Sequence, residues 1–293
     1  MKTLTAFTNR LGNRASNQDR CLVLRKRDRL LLAVADGMGG HARGDLAAQT
    51  AIDSLADSFL RRRDAIDDPP AFLRTALENA HLDVVDAARR IGPRLEPRTT
   101  CVVCLVAGNR AWWAHVGDSR LYLLREGRLV ARTRDHTPVE ELLQRGAIGE
   151  HELRHHPLRN SVSRCLGGRL RLPEISFDQA VLQAGDTLLL CSDGLWSALP
   201  EERLTGFPAS GDLEQALERL AGEAEAASYP HSDNISLVGL RWLEAGESAP
   251  GPSPAPATAP ENPGADNATD DPLKQAIDEI HRAILEYAGE MKK

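Results

Sequence analysis

A chain of 293 residues, 42% of them hydrophobic, has enough apolar material to bury a substantial core in one large domain or two small ones. Asp and Glu total 42 against 36 Lys and Arg, a net charge of −6, which argues against a nucleic-acid partner because that needs a concentrated basic face. No window approaches the ~18 uninterrupted apolar residues of a membrane span, and MKTLTAFTNR lacks the apolar stretch of a signal peptide, so a soluble, cytoplasmic protein with no membrane partner is expected.

In chain order, strand-like runs fall at 19–24 and 29–35, followed by two helical patterns. In 44–63, Leu46, Ala47, Ala51, Leu55 and Phe59 keep three- and four-residue spacing, and the run Arg61-Arg62-Arg63 closes that pattern where cations suit the helix dipole. In 70–91, Phe72, Leu73, Ala76, Leu77, Ala80, Val84, Ala87 and Ile91 do the same. Strand-like runs then recur at 100–107, 110–116, 120–124 and 128–133. Gly108-Asn109 and Glu126-Gly127 fall between them, so this block reads as an antiparallel meander interrupted by a loop carrying Asp118. A strand at 187–192, a helix at 212–228 and a strand at 235–242 complete residues 1–243, which read as one domain. Strands in one block and helices in others imply an α+β layered fold rather than alternating βαβ units.

Five cysteines, mostly inside apolar runs, fit reduced thiols in a core. Cys101 and Cys104 form a C-x-x-C, but in a strand residues three apart point to opposite faces, and no second C-x-x-C completes a zinc set. Residues 244–272 are rich in Pro, Ala and small polar residues and read as a disordered, semi-extended linker. Beyond them, 273–293 reads as an amphipathic helix, with Leu273, Ile277, Ile280, Ile284, Tyr287 and Met291 spaced 4-3-4-3-4. So short a helix is marginal alone in water, so it is expected to dock on its own domain or on a protein partner.

The segment Val34–Asp45, VADGMGGHARGD, poses the chemical question. Gly37-Met38-Gly39-Gly40-His41-Ala42 fits the G-x-G-x-x-[GA] pattern of dinucleotide loops. Against that, Asp36 would repel a pyrophosphate, the next twenty or so residues are helical, and the later strands form a meander. The carboxylates favour a metal. LLLAVADG and TLLLCSDG share one form, an apolar strand ending in Asp36-Gly37 or Asp193-Gly194. Asp233 lies just before a strand, Asp19 begins one, and Asp118 sits between two. Acids brought to one edge of a layered sheet repel unless a cation neutralises them, and all-oxygen ligands select Mg²⁺ or Mn²⁺. Glycine after each Asp would let the backbone approach the ion. Arg14, five residues before Asp19, suits a phosphate clamp. His41 suits either proton donation to a leaving oxygen or a helix cap.

These motifs in order, Arg14-x-x-Asn17-Gln18-Asp19, Val34–His41, Gly117-Asp118-Ser119-Arg120, Ser192-Asp193-Gly194-Leu195-Trp196 and Asp233-Asn234, resemble those of the metal-dependent protein phosphatases, the protein phosphatase 2C family in its compact bacterial form. The resemblance covers about 14–242 and extends to a flap-like stretch from Asp135-His136-Thr137 to Leu166-Gly167. It implies a four-layer α-β-β-α sandwich with two central, mainly antiparallel sheets and a metal site at one edge. By the same resemblance Asp36 would bridge two Mn²⁺ or Mg²⁺ ions, with the Gly37 carbonyl on one and Asp193 and Asp233 completing the other. Asp118, with Asp193, would hold a third. Asp19, Gln18 and Asn234 would stand behind the ligands, Arg14 would bind the substrate phosphate and His41 would serve as general acid. The implied reaction is hydrolysis of phosphoserine and phosphothreonine by a metal-bridging hydroxide, against a cognate Ser/Thr kinase. The alternatives are a phosphoprotein-binding pseudophosphatase and an adaptor, and intact Asp36, Asp193 and Asp233 weigh against the former. Gln18 stands where many members carry Glu, which implies weaker holding of the second ion, and Arg98 stands where a small residue is usual. Gating is expected around 136–170, with His151, His155 and His156 on its surface.

Overall fold

The computed structural model describes residues 2–38, 43–92, 95–153, 156–159, 161–168 and 171–244. The elements run β1 (Lys2–Arg10), β2 (Asp19–Lys26), β3 (Arg29–Met38), α1 (Gly44–Arg61), α2 (Pro69–Ile91), β4 (Arg98–Thr99), β5 (Cys101–Ala107), β6 (Arg110–Val116), β7 (Arg120–Arg125) and β8 (Arg128–Arg132). They continue with α3 (Pro138–Gln144), α4 (Glu150–Leu153), β9 (Leu166–Gly167), β10 (Ser176–Val181), β11 (Thr187–Cys191), α5 (Asp193–Trp196), α6 (Glu202–Thr205), α7 (Leu213–Ser228) and β12 (Ile235–Glu244). The expected linker beyond Glu244, the helix 273–293, and Gly39, Gly40 and His41 lie outside the described residues.

Two antiparallel sheets form the centre. One has the order β1-β12-β11-β7-β8, the other β10-β6-β5-β3-β4-β9 with β2 paired to β3. Alternation along the strands sorts side chains into three cores. Leu30, Leu32 and Val34 of β3 join Val102, Cys104, Leu188, Leu190, Val238 and Trp242 between the sheets. Leu31, Ala33 and Ala35 face the other way, against Ala47, Leu55, Phe59, Leu73, Leu77 and Val84 of α1 and α2. Tyr122, Leu189 and Leu237 meet Leu213, Leu217 and Leu220 of α7 on the far side. This is the four-layer α-β-β-α sandwich.

Helix ends follow their caps. Asp68 accepts a hydrogen bond from Ala71 N at 2.9 Å ahead of α2, whose first turn carries Pro69 and Pro70. Asp212 does the same for Gln215 N at 3.0 Å ahead of α7. Cys101 lies in the core beneath the helices and Cys104 in the core between the sheets, so the C-x-x-C is split across β5. Burial pushes the Cys101 thiol up to about 12, and all five cysteines are free.

Besides the two-residue β4 and β9, two longer strands escaped the sequence pattern, β1 and β10. Each lies at an edge of its sheet. Leu4, Phe7 and Val181 are exposed there, so neither strand carries the clean alternation that a strand with one fully buried face shows. Among the described residues no helix is long and apolar enough to cross a membrane.

Candidate metal centre

The acids meet because of strand direction. Asp19 opens β2 and lies directly opposite Asp36 near the close of antiparallel β3. Asp193 follows the end of β11 and Asp233 precedes the start of its antiparallel neighbour β12. Asp118 lies in the turn from β6 to β7, and β7 pairs with β11 so that Arg120 is opposite Cys191. In neighbouring antiparallel strands one begins where the other ends, so all five acids reach the same end of the sandwich.

There they surround one cleft of about 420 Å³, lined by Asp36, Gly37, Asp118, Asp193 and Asp233, with Arg14, Gln18 and Asn234 on its walls. Asp19 lies beneath, 1% exposed, its carboxylate accepting a 2.7 Å hydrogen bond from Ser192 Oγ. Burial raises Asp19 to about 6, against the help of Ser192 and with the Asp233 charge adding to the rise. Asp118 is raised to about 7 by burial and then by Asp135, with Arg120 opposing. Asp36 is held well above the carboxylate range by burial, then by Asp19, Asp193, Asp118 and Asp233. Asp193 is raised likewise, by burial, Asp118, Asp233 and Asp19. Thus the charges that press on Asp36 and Asp193 are other carboxylates. Arg14, exposed at the mouth, pairs with Asp233 at 2.6 Å.

Among the described residues no three Asp, Glu, His or Cys side chains already close on a single point. The carboxylates instead line an open cleft, and burial followed by the neighbouring acids raises Asp36 and Asp193, the condition that a hard divalent cation relieves. The donor set therefore fits Mg²⁺ or Mn²⁺ by its chemistry: carboxylate oxygens and carbonyls, with no thiol among the residues lining the cleft.

Asn234 lies on the cleft wall, and its side chain is engaged with backbone. Its Oδ1 accepts from Gln18 N at 2.9 Å, and its Nδ2 donates to Leu11 O at 2.8 Å and Ser16 O at 3.2 Å. It staples the loop carrying Arg14. Gln18 is half-buried on the cleft wall, and its carbonyl accepts from Gly37 N at 3.2 Å. The glycines after the acids also do something the sequence reading missed. A Cβ on Gly37 would collide with the backbone of Gly44 at the start of α1, and one on Gly194 with the carbonyl of Asn234. Close approach here is between backbone segments, whatever else the loops hold.

Other residues passed over as motif filler hold the ligand-bearing loops. Thr99 Oγ1 donates to Asp36 O at 2.8 Å and Thr100 N donates to it at 2.9 Å. Arg120 makes a two-pronged buried pair with Asp135 at 2.8 and 2.7 Å and stacks on Trp196 at 3.8 Å. Trp196 Nε1 donates to Asp118 O at 2.9 Å. The motifs around Asp118 and Asp193 therefore lock together through Arg120 and Trp196. Their signal was present as Arg and Trp at fixed offsets from an acid, but a sequence carries no distance. Arg98 is exposed and pairs with Glu96 at 2.6 Å, a surface contact. In 136–170, His151 is exposed and His156 Nδ1 accepts from Leu158 N at 3.1 Å, while His155 lies outside the described residues.

A sandwich with acids from separate strand ends gathered at one cleft is the architecture of a phosphatase. The chain belongs to the protein phosphatase 2C family, whose sequence model matches residues 8–232. It is 37% identical over 212 residues to the serine/threonine protein phosphatase PstP of Mycobacterium tuberculosis, covering 71% of this chain and 39% of that protein's length. It is 32% identical over 239 residues to the serine/threonine phosphatase stp of Listeria welshimeri, covering 79% of this chain and 92% of that one. Among solved structures, the catalytic domain of PstP in complex with two manganese ions superposes with a TM-score of 0.69 at 33% identity, over 83% of this chain and 99% of that domain. The chain thus spans well under half the length of the mycobacterial protein and nearly all of the Listeria one.

Proposed function

We propose that the chain is a metal-dependent Ser/Thr phosphoprotein phosphatase that removes phosphate placed by a bacterial Ser/Thr kinase. The observation that carries this reading is the gathering of Asp36, Asp118, Asp193 and Asp233 on one cleft with Arg14 at its mouth. Asp36, Asp193, Asp233 and the Gly37 carbonyl would hold two Mn²⁺ or Mg²⁺ ions, and Asp118 with Asp193 a third. Bound there, such ions supply Lewis-acid activation of water and stabilise the attacking and leaving oxygens of an in-line displacement.

The chain's own groups do the rest. Arg14 is the phosphate clamp: its guanidinium now rests on Asp233, and it would exchange that carboxylate for phosphate oxygens, which it matches with two parallel hydrogen bonds. Asp19, fixed by Ser192, sets a buried acceptor behind the ligands and orients water in the cleft. The neutral Gln18 adds no charge to the acid cluster, and the second ion is held more weakly for it. His41 is the assigned proton donor to the leaving serine or threonine oxygen. The catalytic domain is 1–243, and 273–293, joined by the 244–272 linker, is a docking helix for a protein partner.

Hydrolysis of a phosphothreonine peptide with Mn²⁺, Mg²⁺ or EDTA, in wild type and Asp193→Asn, tests the reading. Turnover that requires metal and collapses in the variant supports it. A folded wild type that is inert with every metal overturns it.

A further inference from the structure

Asp118 has an odd support. It is 3% exposed, yet among the described residues no group of another residue donates a hydrogen bond to its carboxylate. Its position is therefore set by the backbone of 117–120, which Trp196 holds at Asp118 O and a single dipeptide grips at either end. Gly117 N donates to His136 Nδ1 at 3.2 Å, and His136 N donates to Gly117 O at 2.9 Å. Arg120 Nε and one terminal nitrogen donate to the two oxygens of Asp135 at 2.8 and 2.7 Å. Adjacent residues thus seize the positions just before and two after Asp118.

The grip is built into the fold. Leaving β8, the chain stays beside the start of β7: Thr133 N donates to Leu121 O at 3.0 Å, and Leu121 N donates to Thr133 Oγ1 at 3.0 Å. His136 is fixed in turn, its Nε2 donating to Ser176 Oγ at 2.8 Å and its carbonyl accepting from Ser163 N and Oγ at 2.8 and 2.9 Å. Its ring stacks on His115 at 4.4 Å, and His115 Nε2 donates to Arg134 O at 2.7 Å. Because Gly117 N–H donates to Nδ1, that nitrogen carries no proton, and the ring is the neutral Nε2–H form. Gly117 itself adopts φ +105°, a left-handed conformation that only outside contacts hold in one place. Asp135 and His136 are 9% and 7% exposed, so neither grip competes with solvent.

We propose that Asp135 and His136 are a positioning pair that fixes Asp118 by clamping the residues on either side of it, and that loss of the pair weakens the cation site that Asp118 shares with Asp193. This rests on the assignment of Asp118 as a ligand. The pair touches neither substrate nor cation and acts through Gly117 and Arg120.

The test uses the full chain as wild type, His136→Phe, His136→Asn and Asp135→Asn. Amide exchange is followed at 117–121 with 102–106 as internal reference, and Mn²⁺ binding is followed by calorimetry. In His136→Phe, exchange at 117–121 rises by about tenfold or more while 102–106 stays as in wild type, and the weakest class of Mn²⁺ sites loosens by about tenfold, the usual cost of an outer partner of a ligand. His136→Asn, which keeps an acceptor on the same side, recovers most of both. Unchanged exchange at 117–121 overturns the clamp, and raised exchange with unchanged Mn²⁺ binding overturns the link to the cation site. Should His136→Phe fail to fold, Asp135→Asn carries the same test: exchange at 117–121 rises and the weakest Mn²⁺ sites loosen together, or the proposal falls. A wild type that binds Mn²⁺ and responds in exchange but never hydrolyses a phosphopeptide defeats the phosphatase reading while leaving this one standing.

Discussion

The two turns of like sequence, Ala35-Asp36-Gly37 and Ser192-Asp193-Gly194, reach the same cleft by different means. At the first the strand simply continues: Gly37 and Met38 still belong to β3 and pair with Thr99 and Arg98 of β4. At the second the strand stops at Cys191, and Asp193 opens the one-turn helix α5, with Ser197 N donating back to Asp193 O at 2.9 Å. Thr99 and Thr100 hold the Asp36 carbonyl, whereas the Asp193 turn leans on Trp196, its contact with Arg120 and its bond to Asp118 O. What the turns share is a glycine against which another backbone lies, Gly44 and Gln18 in one case and Asn234 in the other. The identical Asp-Gly is thus a statement about close packing beside an acid, and it leaves the secondary structure open.

The largest expected effect is on turnover and treats the turns alike. Asp36→Asn and Asp193→Asn should each lower kcat on a phosphothreonine peptide by roughly 10³-fold, about 4 kcal/mol of transition-state stabilisation. A difference of more than tenfold between them would show that the turns contribute unequally to one site.

Next, Gly37→Ala and Gly194→Ala should both cost more than about 3 kcal/mol in urea unfolding, since in each the new methyl meets backbone that cannot step aside. If Gly194→Ala is tolerated and Gly37→Ala is not, the short helix can slide where the strand cannot, and the shared principle fails.

Arg120→Ala separates the turns. It strands buried Asp135 without its cation and removes the stack on Trp196, so about 3–5 kcal/mol of stability should be lost. Amide exchange should then rise around 193–197 and stay unchanged at 36–38. Equal loosening at both would mean that the cleft moves as one piece.

The smallest effect is a pH slope. Burial and the nearby His115 hold His136 at about 3 against an ordinary 6.5. The unfolded chain therefore takes up that proton below 6.5 while the native chain refuses it until about 3. Stability from the neutral ring is complete above the unfolded value and is lost as pH falls from there toward the folded one, roughly 2 kcal/mol between pH 7 and 5. Asp19 and Asp118, raised by burial, act with the opposite sign. The check is therefore the difference between wild type and His136→Asn: the wild-type profile should fall more steeply toward pH 5, by about one proton. Parallel profiles would mean that His136 is not kept neutral.

Much of this fold was legible because burial imposes a period. The inner strands β3, β5, β7 and β11 and the helices α1, α2 and α7 each press an apolar face on a core, so their residues repeat. The edge strands β1 and β10, with Leu4, Phe7 and Val181 exposed, show no clean alternation and were missed, whereas the edge strand β8 was marked by the Glu126-Gly127 turn before it. The acids were legible because Asp beside Gly at a strand end is a local pattern. What the sequence did not reveal about Asn234 is that its amide holds the backbone of residues 216 and more positions away.

By itself, then, the sequence determined the layered α+β class, the inner elements and the identity of the acids, because each depends on spacing within a few turns of chain. Only the tertiary structure decided which groups aim the acids. Thr99 reaches Asp36 across 63 positions, Ser192 reaches Asp19 across 173, and Trp196 reaches Asp118 across 78. Such bonds join residues distant in sequence whose meeting depends on how the two sheets stack and where their strands end, and no local periodicity records that.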